Sequence, residues 1–296
     1  MTTALWRVAT ADGPRLARGT VEAGPAELLE DELTLARLLA DDGPGLADLT
    51  VLPAMGPVTG PAPATARPLA PVDAQPIWAA GVTFQRSREA RKEESHGLDF
   101  YDHVYDAVRP EIFLKALPGT ARGPGQDIGV RRDSTWDVPE PELGVVADAS
   151  GRAVGYVLGD DVSSRSIEGE NPLYLPQAKI YDGSCAIGPC VVPLAEAPPL
   201  AEMRISLIVR RAGVTEFEDT VHLARMRRTV DDLLDWLFAA CSFPDGGVLL
   251  TGTSIVPPED FTLSDGDEVE IAATGLGSLI NGVRLVGAPA GKGAAS

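Results

Sequence analysis

The sequence predicts a β-rich α+β fold with a small first section and a larger second one. Short apolar runs, set off by Gly, Pro and Asp, recur along most of the chain, which is the pattern of strands joined by turns. One clear amphipathic helix interrupts them late in the chain, so strands and helices do not alternate as a doubly wound sheet requires. A stretch rich in Pro, Gly and Ala near residue 70 marks the division. We expect a small α/β domain over residues 1–70 and a larger domain over residues 71–296.

The first section is expected to begin with two strands. Residues 4–9 and 16–21 are rich in apolar side chains, and the Asp-Gly-Pro sequence at 12–14 between them favours a turn. Leucines at 28, 29, 33, 35, 38 and 39 then follow a spacing closer to 3.6 than to 2, which predicts a helix over residues 25–39. Proline fixes φ and removes a backbone donor, so residues 53–76 are expected to be extended or looped.

The larger section is expected to consist of strands and one helix. Thr229 is a good N-cap, Asp232 stands three residues later, and apolar residues within 233–238 supply a buried face. The charged residues of 86–106 suit either a mobile lid or a permanently exposed helix. The predicted strands cover residues 77–80, 112–114, 128–130, 143–146, 154–158, 190–194, 205–209, 248–250 and 269–272.

Composition excludes several classes of function. The formal net charge is −18, so nucleic acids and anionic membrane surfaces, which demand a basic face, are not expected partners. Hydrophobic residues make up 44% of the chain, which is the content of a folded protein. No apolar run approaches the ~20 residues of a membrane span, and no secretory signal or disulfide framework is apparent, so we expect a cytoplasmic protein.

Several familiar catalytic patterns are missing from the sequence. The three histidines do not supply the ligands of a zinc hydrolase, and no serine stands in a Gly-x-Ser-x-Gly elbow. Neither a Gly-x-Gly-x-x-Gly fingerprint nor a phosphate-binding loop occurs, so no nucleotide cofactor is expected.

The most informative motif is Pro-Glu-Pro-Glu-Leu at residues 139–143. Glu140 and Glu142 lie two residues apart and therefore share one face of a strand, where they repel each other unless a cation lies between them. Carboxylate oxygens favour a hard divalent ion, Mg²⁺ first, with Mn²⁺ or Ca²⁺ as alternatives. Asp161 follows the next strand, and a hairpin would bring it beside the glutamates as a third ligand. The competing interpretation is that these acids are part of a negatively charged surface.

Cationic and hydroxyl groups elsewhere could complete such a site. Lys179 lies in a polar segment expected to be a loop, and Glu111 and Lys115 flank a short apolar strand, so together they could hold an anionic, oxygen-rich substrate. Taken alone, each lysine is more typical of a solvated surface group. The Thr-Gly-Thr turn at 251–253 offers hydroxyls and backbone N–H groups to a carboxylate, unless it is an ordinary β-turn.

These motifs resemble the fumarylacetoacetate hydrolase superfamily over roughly residues 71–285. The resemblance rests on residues 139–143, on the Gly-Asp-Asp-Val-Ser-Ser-Arg string at 159–165, on Lys179 and on the turn at 251–253, in the same order and spacing. Longer strings at 105–113, 170–177 and 179–181 are similar to the branch that dehydrates 2-keto-3-deoxy-D-arabinonate. The resemblance implies a β-roll catalytic domain behind a small N-terminal domain, assembled as a homodimer or homotetramer. It also implies one Mg²⁺ held by Glu140, Glu142 and Asp161.

The resemblance further implies a lyase that converts 2-keto-3-deoxy-D-arabinonate to 2,5-dioxopentanoate through an enolate that the metal stabilises. Lys179 and Glu111 are then the candidate catalytic acid and base, with their roles unassigned. The candidate substrate contacts are Thr253, Arg109, Phe84, Lys115 and Tyr181. For two of these a structural role is an equal expectation, because Arg109 could form a salt bridge with Glu111 and Tyr181 could simply pack.

Two positions depart from the family pattern. Ser87 stands where the family hydrolases have the histidine that activates water, which disfavours hydrolysis and favours the dehydratase branch. Ser166 replaces an aspartate that follows the family's Ala-Arg pair, so Asp161 is expected to be held less rigidly. Two alternatives stay open, namely a hydrolase or decarboxylase of acylpyruvates or oxaloacetate, and a non-catalytic sugar-acid binding protein.

Overall fold

Two large β-sheets form the framework of the protein. The structure is a computed structural model that describes residues 1–58, 67–84 and 106–287. Seventeen strands fall within these residues. They are β1 Thr3–Thr10, β2 Gly13–Thr20, β3 Gly24–Leu29, β4 Ala54–Pro57, β5 Ile77–Gly81, β6 Glu111–Ala116, β7 Ile128–Arg131, β8 Asp137–Val138, β9 Pro141–Ala147, β10 Ala153–Asp161, β11 Ser163–Ser164, β12 Cys185–Pro193, β13 Arg204–Arg211, β14 Val214–His222, β15 Gly247–Leu250, β16 Glu268–Ala273 and β17 Gly277–Val286.

The larger sheet has ten strands in the order β4-β3-β2-β1-β12-β10-β9-β15-β5-β6, and the smaller has five in the order β14-β13-β16-β17-β7. β8 and β11 form a separate two-stranded ladder. Most neighbouring strands are antiparallel, but β15 with β5 and β17 with β7 are parallel pairs. β9 and β10 lie in the interior of the ten-stranded sheet and contact β13 and β16 of the other sheet. This arrangement confirms the predicted β-rich α+β fold.

Four helices accompany the sheets in the described residues. They are α1 Leu35–Leu39, α2 Arg165–Glu170, α3 Leu175–Lys179 and α4 Val230–Phe238. The predicted cap of α4 is confirmed, because the Thr229 side chain accepts a hydrogen bond from the Asp232 N–H. None of these helices has the length and apolar character needed to cross a membrane.

The helix predicted over residues 25–39 is wrong in its first half. Residues 24–29 form β3, which pairs with β2 and β4, and only the last five residues of the segment form α1. Leu29 and Leu35 are both 0% exposed and belong to one apolar cluster. Because the leucines of strand β3 and helix α1 face the same core, their combined spacing resembles that of one continuous helix.

Strand β14 was not predicted from the sequence, because it lacks an apolar pattern. Most of its side chains are exposed, and it lies at the edge of the smaller sheet, so no apolar alternation marks it.

The first section is continuous with the rest of the molecule. β1 pairs with β12, where Leu5 lies opposite Val191, and the ten-stranded sheet thereby includes residues from both sections. Both apolar clusters of the core also draw on both sections. The division at residue 70 stays a prediction, since a shared sheet is compatible with either one or two folding units.

Candidate metal centre

The β9–β10 hairpin brings the three predicted ligands together. In its register, Glu142 lies opposite Gly159, and the Asp161 N–H donates to the Glu140 carbonyl at 3.0 Å. Glu140 and Glu142 project on one side because alternate residues of a strand share a face. One carboxylate oxygen from each of Glu140, Glu142 and Asp161 lies within 4.8 Å of the others.

The carboxylates line a small enclosed space. Glu140 is 4% exposed, Glu142 is 2% exposed and Asp161 is 1% exposed. The cavity between them has a volume of about 20 Å³, and Gly252 and Thr253 also line it. A volume of this size admits about one water molecule or one ion.

The surroundings of the Glu142 carboxylate indicate that this space fits a cation. Its carboxylate accepts one hydrogen bond, from the Gly252 N–H at 2.6 Å, and no lysine or arginine of the described residues forms an ion pair with it. Burial, together with the negative charges of Asp161 and Glu140, raises the pKa of Glu142 well above its usual value. A divalent cation among the three carboxylates would remove this repulsion, and an all-oxygen ligand set suits Mg²⁺.

Two cationic side chains surround the other ligands. Lys179 is the last residue of α3 rather than part of a loop, and its Nζ lies 2.7 Å from Glu140 Oε2 and 3.0 Å from Asp161 Oδ2. Arg165 Nη2 lies 2.6 Å from Glu140 Oε1. Lys179 also donates to Ser163 Oγ, so β11 helps to hold it over the carboxylates.

Lys115 lies behind this site rather than in it. The side chain is 0% exposed, and its Nζ lies 2.6 Å from Asp161 Oδ1. It also donates to the Val162 carbonyl at 2.9 Å and to the Lys179 carbonyl at 2.6 Å. The two carbonyl contacts are hydrogen bonds, and the contact with Asp161 is an ion pair.

Glu111 and Thr253 lie at the margin of the cavity. Glu111 begins β6 opposite Gly81 of β5, and its carboxylate fills the place that a side chain at position 81 would occupy. Gly81 itself lines the cavity. Thr253 is 5% exposed, and its Oγ1 donates to the Ile255 carbonyl at 3.3 Å.

Three other predicted contacts lie outside the lining of this cavity. Phe84 is 2% exposed and packs in the hydrophobic core. The Tyr181 hydroxyl donates to the Val162 carbonyl at 3.5 Å, and the Arg109 guanidinium lies 4.4 Å from the ring centre of Trp236. Arg109 is therefore in a cation–π contact with α4. The described residues contain no salt bridge between Arg109 and Glu111.

Ser87 and the candidate lid up to residue 105 lie outside the described residues.

Three further residues contribute to the site in ways that the sequence does not specify. Gly252 has φ of 90°, a conformation that favours glycine, and this turns its N–H toward Glu142. The Thr-Gly-Thr turn thus binds a carboxylate of the protein itself. Asp160 accepts a hydrogen bond from the Glu140 N–H at 3.0 Å, and burial raises its pKa to about 7. Arg165 lies within the quoted motif, but only the fold reveals that it reaches Glu140.

Ser166 does contact the neighbouring loop. Its Oγ lies 2.9 Å from Ser134 Oγ and accepts a hydrogen bond from the Thr135 N–H. Asp161 is held independently of this contact, by Lys115 and Lys179. The expectation that Asp161 is held less rigidly stays a prediction, and these two ion pairs are what would oppose it.

Comparisons with known proteins show which enzymes this chain is similar to. A protein of Haloferax volcanii named a probable 2-keto-3-deoxyxylonate dehydratase is 52% identical over 216 residues, which are 73% of this chain and 74% of that protein. The 2-dehydro-3-deoxy-D-arabinonate dehydratase of Saccharolobus solfataricus is 45% identical over 218 residues, 72% of this chain and 73% of that protein.

Solved structures of dehydratases are similar to this chain over nearly its whole length. A 2-keto-3-deoxy-D-arabinonate dehydratase complexed with magnesium and 2,5-dioxopentanoate has a TM-score of 0.80 and 36% identity, covering 95% of this chain and 99% of that one. The family model described as the C-terminal domain of fumarylacetoacetate (FAA) hydrolase matches residues 77–284. The chain belongs to the fumarylacetoacetate hydrolase family.

Proposed function

We propose that this protein is a Mg²⁺-dependent dehydratase that converts 2-keto-3-deoxy-D-arabinonate to 2,5-dioxopentanoate. The observation that carries the proposal is the buried set of Glu140, Glu142 and Asp161 with Lys179 beside them. It occurs in a chain whose fold matches, at 36% identity, a dehydratase complexed with magnesium and this product.

The names of the two relatives point to a single substrate. D-xylonate and D-arabinonate differ only in configuration at C2 and C3. A keto group at C2 and loss of the C3 hydroxyl remove both stereocentres, so 2-keto-3-deoxyxylonate and 2-keto-3-deoxyarabinonate of the D series are the same acid. The relatives named for these acids, at 52% and 45% identity, therefore support one reaction for this chain.

The reaction needs an acid, a base and a stabiliser of negative charge. When bound by Glu140, Glu142 and Asp161, Mg²⁺ would act as a Lewis acid toward the C1 carboxylate and the C2 keto oxygen of the substrate. A base of the protein removes a proton from C3, and an acid protonates the C4 hydroxyl, which leaves as water and gives an enone. Transfer of protons from C5 and its hydroxyl to C3 and C4 then yields the C5 aldehyde.

Lys179 and Glu111 are the proposed acid and base. Lys179 lies directly over two of the ligands, and Glu111 lies against Gly81 at the margin of the same cavity. Thr253 is the proposed partner of the substrate carboxylate, since it lines the cavity. Burial of this group of side chains excludes bulk water, which favours elimination over hydrolysis.

Hydrolysis or decarboxylation on the same fold is the second candidate. A 2,4-didehydro-3-deoxy-L-rhamnonate hydrolase of a Sphingomonas strain is 26% identical, and an oxaloacetate tautomerase of Rattus norvegicus is 27% identical. Both identities lie well below those of the dehydratases, so the dehydratase proposal has the stronger support.

The test is a panel of 2-keto-3-deoxy acids, acylpyruvates and oxaloacetate, each incubated with and without magnesium. We expect aldehyde to form from 2-keto-3-deoxy-D-arabinonate only when the metal is present. Glu142→Gln should abolish this activity, whereas Glu216→Gln, a matched change at an exposed position of β14, should leave it intact. Turnover of acylpyruvates without aldehyde from the sugar acid would overturn the proposal.

Assembly and location are further parts of the proposal. We propose a cytoplasmic homodimer or homotetramer that acts on a small 2-keto acid. The family resemblance is what supports assembly, and the three cysteines are free thiols, which suits a reducing compartment. Light scattering of the purified protein and cell fractionation test these statements, and a monomeric mass would contradict the first.

A further inference from the structure

A second and larger cavity opens beside β7 and β17, apart from the metal centre. Its volume is about 470 Å³, which is within the size range of small-molecule sites. Its charged lining consists of Arg67, Arg122, Arg284 and Asp127, and none of the three metal ligands lines it.

Two of its arginines have no anionic partner among the described residues. No hydrogen bond or ion pair joins the guanidinium of Arg67 or Arg122 to any residue in the part of the chain that the structure describes, and Arg122 Nε is buried without an acceptor. Arg284 is paired, because its Nε lies 2.9 Å from Asp127 Oδ2. Because Arg122 Nε is buried, an anion in the cavity would be bound through the other nitrogens of this guanidinium.

Charge makes the cavity unusual in this chain. Three arginines and one aspartate give it two positive charges, in a protein whose formal net charge is −18. A positive concavity concentrates anions, and the planar guanidinium forms paired hydrogen bonds with carboxylates and phosphates.

Arg122 is held in place by its backbone. Its N–H donates to the Cys185 carbonyl at 2.8 Å, and its carbonyl accepts from the Ile187 N–H at 2.9 Å. Both partners belong to β12, so the arginine projects from a segment fixed to the ten-stranded sheet. A binding group on a fixed segment loses little conformational entropy when a ligand arrives.

We propose that this cavity binds a small polyvalent oxyanion, a phosphate or a di- or tricarboxylate, through Arg122 together with Arg67 and Arg284. Three arginines do not form the extended basic surface that a nucleic acid needs. A small anion matches both the volume and the charge.

The test measures binding directly. Equilibrium dialysis at low ionic strength, with radiolabelled inorganic phosphate and separately with radiolabelled citrate, should reveal one saturable site per chain. Arg122→Gln and Arg284→Gln should each weaken binding about tenfold or more, which is the value of one charged hydrogen bond. Arg204→Gln changes the net charge equally at an exposed position outside the cavity and should have no such effect. The ratio of phosphate to citrate affinity identifies which oxyanion the site prefers.

Glu142→Gln separates this site from the metal centre, because an anion bound at the metal would lose its site in that variant. We expect anion binding to survive there, whatever the outcome for the dehydratase activity. Absence of saturable binding, equal weakening by Arg204→Gln, or loss of binding in Glu142→Gln would each overturn the proposal. One further result would overturn the proposal. If the unaltered protein binds no anion and Arg122→Gln has a lower oligomeric mass, then an acidic segment of a second copy fills the cavity. Should Arg122→Gln fail to fold, Arg284→Gln decides, since that side chain is 66% exposed.

Discussion

Lys115 Nζ lies 2.6 Å from Asp161 Oδ1, and neither side chain is more than 2% exposed. The same ammonium group donates to the carbonyl of Lys179, so one buried cation positions both a proposed metal ligand and the segment that carries a proposed catalytic group. The sequence analysis had placed Lys115 among the substrate contacts. Its Nζ donates to two backbone carbonyls and forms an ion pair with Asp161, which makes it a positioning residue in this structure.

Lys115→Met should destabilise the metal-free protein strongly. The substitution keeps most of the side-chain volume but leaves Asp161 as a buried charge with one partner fewer, and loss of one member of a buried pair costs about 3–5 kcal/mol. Chemical denaturation measures the free energy of unfolding. We expect a smaller loss when magnesium is present, because the cation supplies part of the missing positive charge.

Arg152→Met is the matched control for this change. Arg152 pairs with Asp148 at 2.9 Å, but its side chain is 79% exposed. Loss of an exposed pair of this kind costs about 0–1 kcal/mol. Equal losses for Lys115→Met and Arg152→Met would refute the positioning role of Lys115.

Glu142→Gln should stabilise the metal-free protein while removing its response to magnesium. Burial and two neighbouring negative charges raise the pKa of Glu142, so its ionised form destabilises the fold, and a neutral amide of the same shape removes that repulsion. The amide oxygen can still accept from the Gly252 N–H. Thermal denaturation at pH 8, with and without magnesium, checks both effects. A metal-free variant that melts below the unaltered protein would contradict this account of the site.

Local sequence patterns pointed to the candidate ligands because the relevant spacing is short, and the family resemblance favoured a metal site over an acidic surface. Glu140 and Glu142 share a strand face by alternation alone, and a hairpin between adjacent strands is the simplest way to bring in Asp161. The same logic predicted most of the strands, whose apolar runs end at Gly, Pro or Asp.

Contacts between distant segments could not be inferred in this way. The Lys115–Asp161 ion pair joins residues 46 positions apart, and the Gly252–Glu142 bond joins residues 110 positions apart. The Gly252–Glu142 bond depends on the pairing of β15 with β9, and the Lys115–Asp161 pair depends on where β6 lies relative to β10 in the ten-stranded sheet. Both are properties of the topology. Arg109 illustrates the same limit, because its stacking on Trp236 depends on where α4 packs.

The stability of the protein should depend on Asp137 between pH 4 and pH 7. Burial raises its pKa from 3.8 to about 6, and its side chain is among the buried ones at 4% exposure. Across this interval the folded state binds more protons than the unfolded state, so the free energy of unfolding falls as the pH rises. The contribution of Asp137 to stability is therefore lowest above pH 6. The shift corresponds to a loss of at most about 3 kcal/mol.

Asp137→Asn removes this titration. The variant should match the unaltered protein near pH 4 and exceed its free energy of unfolding progressively up to pH 7, as urea denaturation at each pH would report. Asp260→Asn, an equal change at an exposed position, should leave the pH profile unchanged. A difference between Asp137→Asn and the unaltered protein that is constant over this range would exclude the proposed cause.

Proton exchange can assign the acid and the base between Lys179 and Glu111. In D₂O with magnesium, the unaltered enzyme should exchange the C3 protons of 2-oxobutanoate, an analogue with no C4 hydroxyl to expel, because this step needs only the base. Replacing the base should abolish both exchange and dehydration, whereas replacing the acid should abolish dehydration and spare exchange. We therefore expect Lys179→Gln and Glu111→Gln to differ in exchange, measured by proton NMR, although both lose dehydration. Loss of exchange in only one variant assigns the base to that residue. Retention of full dehydration by either variant would remove that residue from the mechanism, since a group whose protons are not needed cannot be the acid or the base.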